Sequence, residues 1–279
     1  MGAIATLDAL IAAATDSTLS ENIFAHNTGR VNSVAGTTPT AAAEISFWLF
    51  DGHPGGAGTP SSLIYPTNDT SGGLQQADPG GGRQKWLMGF SGVIIDGGTL
   101  MLYDRLAQQG GLSSSSTSNQ SVASTITRYT SGIGNQLWLE ISTAASSPAT
   151  TTFHFDYTDE NSASATTPEI KIGAANFNGA QRVFRASLAL SGGAGGRGVK
   201  NMTNFKLNAN SGTSGDYCAV IAHPLAMVPM NLPAIGALRN WMQGVFPQEI
   251  LTDACLGLVY IPQNTVNAVP FVSLHMIEA

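Results

Sequence analysis

The sequence predicts a mainly β protein, an antiparallel sandwich of the jelly-roll kind, with a short N-terminal helix and one C-terminal helix. Three observations predict it. The first is period-two alternation: Leu137, Leu139 and Ile141 alternate with Trp138, Glu140 and Ser142, and Phe153, Phe155 and Tyr157 with His154 and Asp156. The second is punctuation, since runs of this kind are separated by clusters of Gly, Ser, Thr, Asn and Pro. The third is composition. Charged residues make up 11% of the 279, against roughly 25% in ordinary soluble domains. Hydrophobic residues still make up 43%, and a chain of this length buries enough surface for a core without staples.

In chain order, Thr6 to Thr15 reads as a short helix capped by Thr6, with Leu7, Leu10 and Ile11 on one narrow apolar stripe. That stripe needs a surface to dock on. Ser20 to Ala43 lacks periodicity and is expected to be an extended or loose arm. Residues 1–43 therefore form a helix and arm, and 44–279 the β domain, with a subdivision near 228–233 left open. Glu44 to Phe50 is a strand candidate ending in the breaker cluster Asp51 to Gly58.

The dense apolar run Leu100 to Tyr103 predicts a core strand that stops at Asp104-Arg105, an adjacent pair that would end it as a structural ion pair. A polar loop is expected from Gln108 to Gln120. Further strands are expected at 136–143, 150–158, 169–172, 181–190, 198–209 and 216–222. Ala234 to Val245, bracketed by prolines, reads as a helix with Ile235, Leu238, Trp241 and Met242 on one side. Ala254 to Ile261 and Val269 to Ile277 read as a closing hairpin.

Charge and motif content exclude several function classes. Net charge is −6, from 12 basic and 18 acidic residues, with no Lys/Arg run; the electrostatic footprint for nucleic acid is missing. No apolar stretch is long enough to cross a bilayer as a helix. Cys218 and Cys255 lie among apolar residues and read as buried free thiols. Gly193 to Gly198 fits G-x-G-x-x-G, but Val199 to Leu207 looks extended where a dinucleotide site requires a helix. Gly89-Phe90-Ser91-Gly92 lacks the spacing of a nucleophile elbow.

The five histidines show no zinc-ligand spacing. His154 and Asp156, on one strand face, are the best catalytic or metal fragment, and a solvent-facing polar couple is the simpler reading. Carboxylates for glycoside hydrolysis would have to come from Asp51, Asp69, Asp96, Asp104, Glu140 or Asp156. No catalytic residue, cofactor site or metal site is assigned, and the chain is expected not to be an enzyme.

Short blocks across most of the chain resemble virion structural proteins of tailed bacteriophages. They are Thr6-Leu7-Asp8-Ala9-Leu10, Gly98 to Leu106, Thr127-Arg128-Tyr129-Thr130, Trp138-Leu139-Glu140 and Asp253 to Leu258. The resemblance implies a capsid decoration (cement) protein on the virion surface, made in the host bacterial cytoplasm. Its implied partners are the major capsid protein and copies of itself as a homo-oligomer. Leu7, Leu10, Ile11 and Phe24 are the predicted partner-binding residues. Two rivals stand beside this reading. One is a tail or fibre protein that binds host glycan through Trp48, Trp86 or Trp138, and the other is a virion-borne glycan hydrolase.

Overall fold

The computed structural model describes residues 11–13, 15–16, 19–27, 44–49, 52–53, 55–93, 97–122, 124–174, 181–186, 188, 196–230, 237–240, 248–262 and 271–279. The strands in chain order begin with β1 (Ser20–Asn27), β2 (Glu44–Ser46), β3 (Gly52–His53), β4 (Leu63–Ile64), β5 (Lys85–Val93) and β6 (Gly98–Ser113). Next come β7 (Gln120–Ser121), β8 (Gln136–Thr143), β9 (Thr151–Asp159), β10 (Ser164–Thr166), β11 (Ile170–Ile172) and β12 (Arg182–Arg185). The last are β13 (Val199–Leu207), β14 (Asp216–Met230), β15 (Ala237–Asn240), β16 (Gln248–Ile250), β17 (Leu256–Pro262) and β18 (Phe271–Glu278).

The protein is mainly β, as predicted. Its centre is a closed ring. The strands run β14-β8-β12-β2-β17-β6, and β6 pairs back onto β14, so six antiparallel strands close a barrel. Two open sheets flank it. The front sheet has the order β15-β5-β18-β1-β3, with β16 also on β5; the back sheet has β10-β9-β13-β7, with β11 on β9. Closure removes the unpaired edges that an open sheet of this size would carry.

Alternation decides which core each side chain enters. Met101, Tyr103, Trp138, Val183, Cys218, Val220, Ala222 and Val259 fill the barrel interior. Leu100, Leu102, Leu256 and Leu258 point out of the barrel to meet Ile23, Phe90, Leu274 and Met276 of the front sheet. Leu137, Leu139, Ile141, Tyr217 and Ile221 meet Phe153, Phe155, Phe205 and Leu207 of the back sheet. Room for Tyr103 comes from Gly257 directly opposite, where a Cβ would lie 2.5 Å from the ring.

Several expectations are corrected. β6 does not stop at Asp104-Arg105; every residue from Leu100 to Gln108 is buried and the strand runs to Ser113. Both faces of this stretch are covered, so it needs apolar or paired groups throughout, and the charged residues are paired. The expected loop from Gln108 to Gln120 is therefore short, confined to the residues between β6 and β7. Gly110 permits the extension: Pro60 and Ser62 of the segment leading into β4 lie so close that a Cβ there would sit 2.0 Å from the Pro60 carbonyl oxygen.

The C-terminal helix is replaced, over its described residues Ala237–Asn240, by β15, which pairs with Gly89–Gly92 of β5; 234–236 and 241–245 lie outside the described residues. An apolar residue every third position fits either structure, and the free edge of β5 decides it. The closing hairpin is a crossover: β17 joins the barrel and β18 the front sheet. Ser20–Asn27 of the expected arm is an integral strand, paired with β18 along seven residues.

Candidate interaction surface

The front sheet turns one face to the barrel and the other outward. Along β1, Ile23 is buried opposite Leu274, while Asn22 and Phe24 lie on the outer face, Phe24 at 66% exposure. On the adjoining strands Phe271 and Val93, opposite one another in register, are also exposed on that face. Its other end is covered. A helical turn at Ile11–Ala13 places Ala13 against Met88 and Ile277, with Leu19 and Trp86 alongside. The Thr15 hydroxyl donates to the Ile11 carbonyl at 2.9 Å and finishes the turn.

Lys85, at the start of β5, is 1% exposed, and its ammonium donates to Glu21 Oε2 at 2.7 Å and to the Ala77 carbonyl. This pair ties β5 to β1 across β18. Of the four predicted partner-binding residues, Leu7 and Leu10 lie outside the described residues. Ile11 is half-exposed on the helical turn and Phe24 is exposed on β1.

Among the described residues the interior holds two ion pairs. Asp104 and Arg105 do not pair with each other, because consecutive strand residues face opposite sides. Asp104 receives two hydrogen bonds at 2.8 Å from Arg128 and one at 2.9 Å from the Cys255 amide. Burial raises the Asp104 carboxyl, and Arg128 opposes that rise. Arg105 points into the barrel, donating to Glu140 Oε2 and Gln108 Oε1, both at 2.5 Å, with its guanidinium 4.2 Å from the Trp48 ring centroid. Burial pushes the Cys218 and Cys255 thiols and the Tyr103 phenol up to about 12. The cysteines are buried free thiols, as predicted; neither supplies a thiolate near neutrality.

The remaining candidates are dispersed. His154 and Asp156 lie on the outer face of β9, where Asp156 accepts from Thr166 at 2.7 Å and Asn204 at 3.3 Å. Asp69 accepts from Thr67 in a turn, and Asp51 and Asp96 lie outside the described residues. The residues after Gly198 form β13, not a helix; Gly193 to Gly195 lie outside the described residues. Gly89 to Gly92 lie within β5. Trp48 and Trp138 are 1% exposed inside the molecule, which removes them as glycan platforms, and Trp86 is half-buried beside the helical turn.

Among the described residues no cluster of His, Cys, Asp and Glu is placed to hold a metal ion, and no helix is long and apolar enough to cross a membrane. An open cleft of about 660 Å³ at the barrel mouth is lined by Gln136, Phe184, Glu44, Arg185 and Arg197. Its charges are internally matched: Arg185 donates twice to Glu44 Oε1, and Arg197 stands 3.9 Å from Glu160.

The backbone of β1 is the feature that the sequence did not reveal. Glu278 N–H donates to the Leu19 carbonyl, which by ladder alternation turns the amides of Glu21, Ile23 and Ala25 toward β18 and those of Asn22 and Phe24 away from it. On that far side, among the described residues, β3 pairs with His26 and Asn27 alone. SENIFAHN carries apolar residues on both faces, so its pattern gives no period to read.

No known family matches the chain, and no curated protein does. The solved structures with weak likeness to this chain include three that match over most of its length. The structure of infectious bursal disease virus Gx strain is 11% identical with a TM-score of 0.17, over 95% of this chain and 81% of that one. The infectious bursal disease virus VP2 subviral particle is 10% identical with a TM-score of 0.18, over 94% and 82%. The KBV activated particle at acidic pH is 8% identical with a TM-score of 0.14, over 82% and 76%. All three are virus particles; scores this low do not establish a shared fold.

Proposed function

We propose that this chain is a non-enzymatic virion structural protein that decorates and stabilises a phage capsid by bridging neighbouring capsomers. Its partners on this reading are the major capsid protein and further copies of itself, and it needs no cofactor. The observation that carries the reading is the asymmetry of the outer surfaces. The interior is packed and ion-paired and the back sheet is sheathed in hydrogen-bonded polar groups, while the front sheet exposes Phe24 on a strand whose backbone edge, among the described residues, is open at Asn22 to Phe24. A protein whose work is contact needs such a face, and icosahedral symmetry repeats each modest contact many times over.

The test is copy number in purified particles, measured by quantitative mass spectrometry. Near parity with the major capsid protein supports decoration. A handful of copies places the chain in the tail, a fibre or the portal and overturns this reading.

A further inference from the structure

We propose that the open edge of β1, at Asn22 to Phe24, is a strand-addition site that takes a short, extended, uncharged segment of the shell protein. The proposal rests on the capsid reading above and names the mode of contact.

Three observations meet at this edge. The ladder turns the N–H and C=O of Asn22 and Phe24 outward, and among the described residues no strand pairs with β1 there short of His26. Such groups are complemented by another extended backbone, which offers the same spacing of donors and acceptors. Beside the edge lies a pocket of about 240 Å³ lined by Ile23 and Leu74, by Gly55, Gly56, Gly72 and Gly73, and by the polar residues Ser71 and Gln75. An added strand places the side chain opposite Ile23 on the same face as Ile23, which is the pocket side. One small uncharged side chain fits there, with Ile23 and Leu74 on one hand and Ser71 and Gln75 on the other.

The third observation is charge. Edge strands are ordinarily blunted by lysine, proline or a bulge; Ser20–Asn27 has none of these. Its single acid, Glu21, is already held by Lys85, so among the described residues of this strand neither an acidic nor a basic segment finds a complement. A second copy's β1 is blocked in the register centred on Ile23. Antiparallel pairing centred on Ile23 would set its Ser20 opposite His26, where β3 already lies. The occupant is therefore a segment only a few residues long in contact.

The test uses the full chain and capsids stripped of it. Hydrogen exchange is compared at the Asn22 and Phe24 amides, free and capsid-bound, alongside the affinities of Phe24→Pro and Phe24→Thr. Phe24→Pro deletes one outward N–H and leaves the β18 ladder intact. Phe24→Thr keeps that N–H and deletes the ring. Protection of both amides on binding, at least roughly tenfold weaker binding for the proline variant and at most about threefold weaker for the threonine variant, are expected.

Wild-type binding with unchanged exchange at both amides overturns strand addition while leaving the capsid reading standing. Equal losses in the two variants do the same, assigning the contact to the aromatic ring. Failure of the wild-type chain to bind stripped capsids overturns the capsid reading itself. Self-association of the free wild-type chain in sedimentation, abolished by Phe24→Pro, overturns the shell segment as occupant in favour of a second copy. The exchange measurement needs no variant, so it decides the matter even where Phe24→Pro folds poorly.

Discussion

The two sheets that flank the barrel use the same physics inward and opposite physics outward. Each buries an alternating apolar face against the barrel, Leu274 and Met276 in front, Phe153 and Phe155 behind. On the outside, the back sheet fastens its polar side chains to one another: Asp156 to Thr166 and Asn204, Thr152 to Glu169 and Asn208. The front sheet instead exposes Phe24, Phe271 and Val93 at one end, while Trp86 and Met88 at the other lie beside a helical turn. A sheet meant for water satisfies its own polar groups; the front sheet presents apolar surface that solvent alone does not reward.

Breaking what both sheets rest on should have the largest effect. Arg105→Met strands the Glu140 carboxylate inside the barrel and is expected to cost about 3–5 kcal/mol in a guanidinium titration. The double variant Arg105→Met/Glu140→Leu should recover most of that loss, because it removes both charges together. If the double variant is as unstable as the single, the pair does not act as a unit.

Next come the inward faces. Phe155→Ala behind and Leu274→Ala in front should each lower stability by about 2–5 kcal/mol. Similar values mean that the two sheets are held equally, so the contrast between them is one of outer surface alone.

A smaller effect reports on the seam between β14 and the loop before β8. His223 stacks on Tyr129 at 3.7 Å between ring centroids and meets Asn135 at 2.8 Å. Burial holds its imidazole down at about 4, below the unfolded value of about 6.5. Between those values the unfolded chain binds the extra proton, so stability is fully present above about pH 6.5 and falls as pH drops toward 4. The loss approaches about 1.4 kcal/mol per pH unit at most and is reduced by the ring's partial exposure. His223→Gln should flatten this part of the curve of denaturation midpoint against pH.

The smallest effects lie on the outer faces. Asp156→Ala behind should cost about 1 kcal/mol or less, through two lost hydrogen bonds. Phe24→Ser in front should change stability by under about 0.5 kcal/mol. A large destabilisation by Phe24→Ser would mean that the front face is core, and the contrast between the sheets would fail.

Legibility in the sequence followed periodicity. β8 and β9 were plain because one face is apolar over a full strand length, and the core strand at Leu100 to Tyr103 because it is apolar on both. The extension of β6 was hidden because Asp104 and Arg105 look like a terminus until Arg128 and Glu140, 24 and 35 residues away, are known to neutralise them. The barrel was hidden because closure depends on β6 meeting β14 across more than a hundred residues. Of the candidate surface, Ile11 and Phe24 were named from the sequence. The open edge was not, since backbone orientation depends on a partner strand that residue types do not announce. Removal of residues 1–43 would also take β1 out of the front sheet, so the N-terminal segment has to be probed by a cut before Ser20.

The long pairing of β6 with β14 has a mechanical consequence. It runs from Gly98 opposite Met230 to Ser113 opposite Asp216, and its two ends serve the two different flanking sheets. Tension entering through the front sheet therefore reaches the back sheet along one continuous covalent strand. Within a closed ring that strand cannot be peeled from a free side one bond at a time; its hydrogen bonds are loaded together, in shear. Pulled between its two outer sheets, the molecule should resist as a strut.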